Sequence, residues 1–242
     1  VKPYYESNGV RIYHGSAVEL AGPLSEGAGM ICTDPPYSEK THTNARSQKA
    51  PTTKGALVTF APVTVEDIRT VFAAIRSGRW IVATIDYRHV VALEALPPEG
   101  VKFIRFGVWT KPDGSPQFTG DRPATGWEAV AILHREGNGR LRWNGGGKPA
   151  TWHHPIVKNA SIYPTQKPLP LFRDFIRLFA EKGELIFDPF CGSGTTLLAA
   201  ADHGHPAVGC DIDEAACEIA AKRLDAYHRQ GGLFAGRLLN VE

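Results

Sequence analysis

Three short stretches of this chain set reactive side chains beside residues that stiffen or open the backbone. In "GMICTDPPY", an apolar run leads into Asp34, Pro35, Pro36 and Tyr37. Two prolines cannot donate to a sheet ladder, so the strand must end there, on a rigid shelf carrying a carboxylate beside a phenol. In "DPFCGSGTT" (188–196), Gly192 and Gly194 let backbone approach a ligand, and the helix that follows offers unpaired N–H groups to an anion. About one strand later comes Asp211, at a position where a carboxylate can take both hydroxyls of a ribose. The third stretch, "YPTQKP" (163–168), offers a hydroxyl, an amide and an ammonium ahead of the helix that leads into the glycine strand. Alone, the glycine turn reads as a tight strand-to-helix corner, and the full GxGxxG fingerprint is absent.

The surrounding pattern predicts the elements that must hold these groups. Strands are expected at "VRIYHG" (10–15), "GMICTD" (29–34), "RWIVATID" (79–86), "VKFIRFGVW" (101–109), "WEAVAIL" (127–133), "ELIFD" (184–188) and "PAVGCDID" (206–213). Ile68, Val71, Phe72 and Ile75 recur at helical spacing, as do Phe172, Phe175, Ile176 and Phe179. Further helices are expected from Thr195 and over "EAACEIAAKRL". Seven strands mostly alternating with helices predict an α/β fold with a largely parallel sheet covered on both faces.

Bulk composition bounds the rest. A chain of 242 residues fits a single domain, and 43% hydrophobic content supplies a core. A net charge of +2 gives no global nucleic-acid signature, so any basic footprint must be local. Four scattered cysteines (Cys32, Cys191, Cys210, Cys217) suit a reducing cytoplasm rather than a disulfide framework. There is no apolar run of membrane-spanning length and no signal-peptide pattern. His153-His154 lacks a companion at metal-ligand spacing, so no metal site is expected.

Together, Asp34-Pro35-Pro36-Tyr37, "YPTQKP" and "DPFCGSGTT", in this order, resemble the β-class amino-group DNA methyltransferases, from about residue 9 to residue 226. The resemblance implies a Rossmann-like sheet of seven strands, all parallel but one, in a single domain spanning 1–242. It implies S-adenosylmethionine as methyl donor and the exocyclic amine of a DNA base as acceptor. The cofactor-lining residues it implies are Asp34, Asp188, Phe190, Cys191, Gly192, Ser193, Gly194 and Thr195. Ile212 would line the cofactor too, Asp211 would hold the ribose, and Thr165, Gln166 and Lys167 would close around the methionine side. Two positions depart from the family pattern. Tyr163 stands in place of a histidine, and Ser16 in place of an aspartate near the adenine.

In this reading Asp34 and the Pro35 carbonyl each accept one amine hydrogen, freeing a lone pair otherwise delocalised into the ring. Pro36 stiffens the shelf and Tyr37 stacks on a base flipped out of the duplex. Aspartate in the tetrapeptide favours adenine N6 over cytosine N4. C5 methylation is disfavoured, since Cys32 lies inside the strand. The segment 38–61, basic through Lys40, Arg46, Lys49 and Lys54, is expected to grip phosphates as a catalytic-side loop. Residues 136–162, with Arg140, Arg142 and Lys148, occupy the place of a short target-recognition segment. A segment that small implies a short target, loose specificity, or a homodimer or separate specificity partner. The competing readings are the same chemistry on RNA or a protein glutamine, and a non-catalytic cofactor- or DNA-binding subunit of a methylation complex. The resemblance implies a role in DNA methylation of the kind found in restriction-modification.

Overall fold

Runs such as Trp80–Ile85, buried at every position, cannot lie at a surface, and helices must cover both sides of them. The computed structural model shows how. It describes residues 1–36, 63–114, 116–137, 140–157 and 166–234. Tyr37, Lys40, Arg46, Lys49, Lys54, Tyr163 and Thr165 therefore lie outside the described residues.

In chain order the elements are β1 (Tyr5–Ser7), β2 (Val10–His14), α1 (Ala17–Leu24), β3 (Ala28–Thr33), α2 (Val65–Ala74), β4 (Trp80–Ile85), α3 (Tyr87–Ala95), β5 (Val101–Thr110), β6 (Trp127–Arg135), β7 (Thr151–His153), α4 (Leu169–Phe179), β8 (Leu185–Asp188), α5 (Thr195–Asp202), β9 (Ala207–Asp211) and α6 (Glu214–Phe234). One sheet holds them in the order β1-β2-β9-β8-β3-β4-β6-β5-β7. From β2 to β4 every pairing is parallel, and β6 runs antiparallel to both β4 and β5.

The sheet thus has nine strands where sequence periodicity gives seven. The two extra strands, β1 and β7, are three residues each and sit at the edges. Three residues are too few to display a period of two. Within the remaining seven, β6 is the one antiparallel member.

Two apolar clusters sandwich the sheet. Leu171, Phe172 and Phe175 of α4, Leu197 of α5 and Leu224 of α6 cover one face, over Met30, Val82 and Val130. Leu20 of α1, Phe72 of α2 and Leu93 of α3 cover the other, over Ile31, Ile81 and Ala131. Alternate residues of each strand feed opposite clusters, as the pleat requires. All four cysteines are buried and free, with Cys32 inside β3. Among the described residues no helix is long and apolar enough to cross a membrane.

This topology creates one special crevice. After β8 the chain moves by α5 to β9, and after β3 it moves by α2 to β4, on the opposite side. The carboxyl ends of β8 and β3 therefore flank the point where the winding reverses, where open α/β sheets bind ligands. Asp188 ends β8 and Asp34 follows β3, so both acids sit at that crevice.

Candidate active site

Asp34 follows Thr33 at the end of β3, and Thr33 pairs with Ala83 of the neighbouring β4. One step on, Thr84 donates its hydroxyl to Asp34 Oδ1 at 2.6 Å. Lys167, just ahead of α4, brings Nζ to 3.1 Å from the same oxygen. That ammonium is also 2.9 Å from Glu128 Oε2, and Lys111 Nζ bonds the other Glu128 oxygen. Glu128 reaches the crevice because β6 is antiparallel, which puts its first residues beside the carboxyl end of β4. The Trp109 ring lies 5.0 Å from the Lys111 ammonium and 6.0 Å from that of Lys167. Four alternating charges, Asp34, Lys167, Glu128 and Lys111, so form one line.

Their titration follows from unequal sharing. Burial pushes the Asp34 carboxyl above its ordinary value, and Lys167 offsets this only in part. Burial would raise Glu128 too, but the ammonium groups of Lys167 and Lys111 hold it down at about 2. Burial would lower Lys167, yet the two carboxylates raise it. Glu128 has two cations and Asp34 shares one, which accounts for their opposite shifts.

Behind Asp34 lies the second acid. Asp188 is 1% exposed, accepts from the Thr33 hydroxyl at 2.6 Å and from the Phe190 N–H at 3.0 Å, and burial raises it to about 7. A carboxyl raised on folding binds its proton more tightly in the native state, so native stability declines as pH rises between the unfolded and folded values. The protein should therefore lose up to about 4 kcal/mol of stability between roughly pH 4 and pH 7 from this group. Asp188→Asn should flatten that slope, which chemical denaturation across this pH range would show. An unchanged slope would mean Asp188 titrates normally.

The glycine turn is built beside it. Gly192 donates its N–H to Asp211 Oδ2 at 2.8 Å, and the N–H of Asp213 reaches Oδ1 at 2.9 Å. Gly194, at φ +80°, caps α5, and a Cβ there would come within 2.9 Å of Ala220 Cβ, so only glycine fits. Arg223 of α6 bonds the Ser193 carbonyl and hydroxyl and lies 3.4 Å from Thr195 Oγ1. Cys191 is buried and its N–H bonds the Cys210 carbonyl. Ser16, which starts α1, follows Gly15, whose N–H bonds the Asp211 carbonyl at 2.8 Å. Ile212 is 71% exposed at the same edge. Ser16, Gly192, Asp211 and Ile212 thus share one rim of the crevice, while Asp34, Gln166 and Lys167 lie on the β3 side.

The basic residues of 140–157 lie elsewhere. Trp80 Nε1, at the amino end of β4, donates to the Arg142 carbonyl at 2.5 Å, and the Arg142 guanidinium is 3.7 Å from Glu181. Arg142 is therefore at the opposite end of the sheet from Asp34. Arg140 and Lys148 are exposed, one two residues before Arg142 and the other on the approach to β7. Neither tryptophan of the segment projects. Trp152 is buried edge-on against Phe175, and Trp143 packs on Phe179. His154 Nε2 faces Asp174 Oδ2 at 2.9 Å, and no metal-holding group of His, Cys, Asp or Glu occurs among the described residues.

Sequence reading passed over Glu128, Lys111, Thr84 and Thr33. Glu128 left a signal: it sits on the inward side of "WEAVAIL" with Val130 and Ile132, and a buried acid in an apolar strand requires a cation.

Comparison with known proteins identifies the family. A family model described as DNA methylase matches residues 28–222. The type II methyltransferase M2.DpnII of Streptococcus pneumoniae is 26% identical over 255 residues, covering 93% of each chain. The type II methyltransferase M.ScaI of Streptomyces caespitosus is also 26% identical, over 93% of this chain and 84% of its own. Among solved structures, the M1.HpyAVI–SAM complex superposes with a TM-score of 0.66 at 23% identity, covering 88% of this chain and 99% of the other. The cytosine-N4-specific PvuII DNA methyltransferase gives 0.66 at 16% identity over 94% of both. These two likenesses show the fold.

Proposed function

The chain belongs to the DNA methylase family, and we propose that it transfers a methyl group from S-adenosylmethionine to the exocyclic amine of a base flipped out of double-stranded DNA, with adenine N6 as the acceptor. One observation supports this above the others. Thr84 and Lys167 both engage Asp34 Oδ1, and Oδ2 has no partner among the described residues. A carboxylate held by one oxygen and open at the other, at the switch point of the sheet, suits an amine hydrogen.

The cofactor fits the glycine rim. A Cβ built on Gly192 would meet nothing within 4 Å, so its backbone borders open space, with Asp211 and exposed Ile212 beside it. Bound there, S-adenosylmethionine supplies an electrophilic methyl on a sulfonium. Gly192 and Ser193 present backbone to it, Asp211 takes the ribose hydroxyls, and Ile212 covers a face of the adenine. Gly192→Ala should keep the fold at a cost of about 1 kcal/mol, since φ is +46° there. Its cofactor affinity should fall at least roughly tenfold, because the added methyl enters the ligand's space. Calorimetric titration reads this directly, and unchanged affinity would move the cofactor away from this turn.

On the acceptor side, Asp34 Oδ2 takes one amine hydrogen and the Pro35 carbonyl the other, so the nitrogen lone pair leaves the ring. The Pro35-Pro36 backbone keeps that carbonyl in place without reorganisation. The nitrogen gains the methyl, the C–S electron pair stays with sulfur, and Asp34 or water takes the surplus proton. Tyr37 stacks on the base, while Lys40, Arg46, Lys49 and Lys54 hold phosphates. Asp34, in place of the serine commoner among N4-cytosine enzymes, favours adenine. The shared fold with an N4-cytosine enzyme keeps cytosine as the second reading. Labelled methyl transfer to unmethylated DNA, followed by nucleoside mass analysis, separates them. N6-methyladenine is expected, N4-methylcytosine would correct the base, and label in neither would overturn the proposal.

A further inference from the structure

The line of charges beside Asp34 contains a residue that no amine-accepting role uses. Glu128 is 15% exposed and engages a separate ammonium with each oxygen, Lys167 through Oε2 and Lys111 through Oε1. Lys167 stands 2.9 Å from Glu128 and 3.1 Å from Asp34, so its charge is divided between two acids. Trp109 backs both cations, and its indole is itself fixed by a 2.8 Å bond to the His154 carbonyl. A lone buried ammonium beside Asp34 would close on it and occupy the acceptor that the base needs.

We infer that Glu128 is a positioning residue for methyl transfer: acting through Lys167, it holds that ammonium back from Asp34 and so keeps the Asp34 carboxylate able to accept the amine. This rests on the reading of Asp34 as amine acceptor given above. Lys111 sets the strength of the effect from the far side, because it competes with Lys167 for Glu128. Among the described residues, the groups facing Asp34 are Thr84 from β4, Lys167 before α4, Glu128 from β6, Asp188 from β8, and the Cys32 thiol, which burial keeps protonated.

The two flanking variants carry opposite signs. In Glu128→Gln a negative neighbour is gone and Lys167 is drawn toward Asp34. The acid limb of the kcat profile, where Asp34 must be ionised, should move to lower pH. The kcat on its plateau should drop roughly tenfold, the scale of one charge-assisted hydrogen bond, with KM for S-adenosylmethionine little changed. In Lys111→Met, Glu128 draws Lys167 toward itself, so the acid limb should move to higher pH. A merely structural role for Glu128 would lower activity in both variants without moving the limb in opposite directions.

The same shifts should appear without turnover, in a carbon-13 NMR titration of the Asp34 carboxyl, assigned by its absence in Asp34→Asn. Opposite displacements in Glu128→Gln and Lys111→Met support the inference, and an unmoved Asp34 titration in Lys111→Met overturns it. If Glu128→Gln does not fold, the upward shift in Lys111→Met alone decides. Wild-type protein that transfers no methyl to DNA but shows the NMR shifts would overturn the methylation reading and leave the coupling standing.

Discussion

Asp34→Ala is expected to reduce methyl transfer to DNA by at least about 10²–10³ in kcat, the scale of losing one preorganised electrostatic partner of a transition state. Its effect on stability should have the other sign. Burial raises the Asp34 carboxyl, which means that folding disfavours its charged form. For such a group the stabilising contribution is present at low pH and is lost as pH rises through the folded value. At neutral pH, removing it should leave the melting temperature unchanged or slightly higher. Lys167 stays paired with Glu128 in the variant, so no ammonium is stranded. A side chain kept for packing would show the reverse pattern, lower stability with activity retained. Parallel methyl-transfer assays and thermal melts separate the two, and retained transfer would remove Asp34 from the reaction.

Lys167→Met should instead be the most destabilising single change at the site. Its ammonium is 11% exposed, between carboxylates that are 25% and 15% exposed. Removing one partner from a buried ionic group costs about 3–5 kcal/mol, because the remaining charge stays desolvated. For a chain of this size that lowers the melting temperature by roughly 10 °C. The pH dependence gives a second signature. Glu128 is depressed from 4.5 to about 2, so its contribution is present above the unfolded value and lost as pH falls toward 2. That contribution is about 3 kcal/mol in the native protein. In Lys167→Met, Glu128 loses one of its two ammonium partners and keeps Lys111, so the acid-side loss of stability should shrink. Activity should fall as well, with the acid limb moved upward, since Asp34 loses the cation that opposes its burial. A variant melting like the native protein at pH 7 would show that the ammonium is solvated and contributes little.

The strands that matter most were legible because burial on both faces leaves a local mark. Met30–Thr33, Trp80–Ile85 and Ala207–Asp211 are apolar runs closed by an acid or a breaker, and each pairs in parallel as the alternation with helices implied. Tetrapeptide and glycine turn were readable for a related reason. Prolines and glycines restrict backbone locally, so their work is written in adjacent letters. Edge strands β1 and β7 were not readable, being too short to show a period. Helices α1 and α3 carry weaker patterns, α1 with Pro23 inside it.

Sequence by itself determined the parallel-rich α/β sheet, the order of the motifs along it, and the two acids, Asp34 and Asp188, at strand ends. Tertiary structure alone decided what surrounds them. Glu128 is 94 positions from Asp34 in sequence and meets it through Lys167 only because β6 runs antiparallel beside β4. It also decided that Trp143 and Trp152 face the core and that Arg142 sits at the far end of the sheet. Local patterns record how a segment uses its own backbone and burial, whereas an ion pair depends on which strands become neighbours. That neighbourhood is set by packing the whole sheet, and no window of adjacent residues contains it.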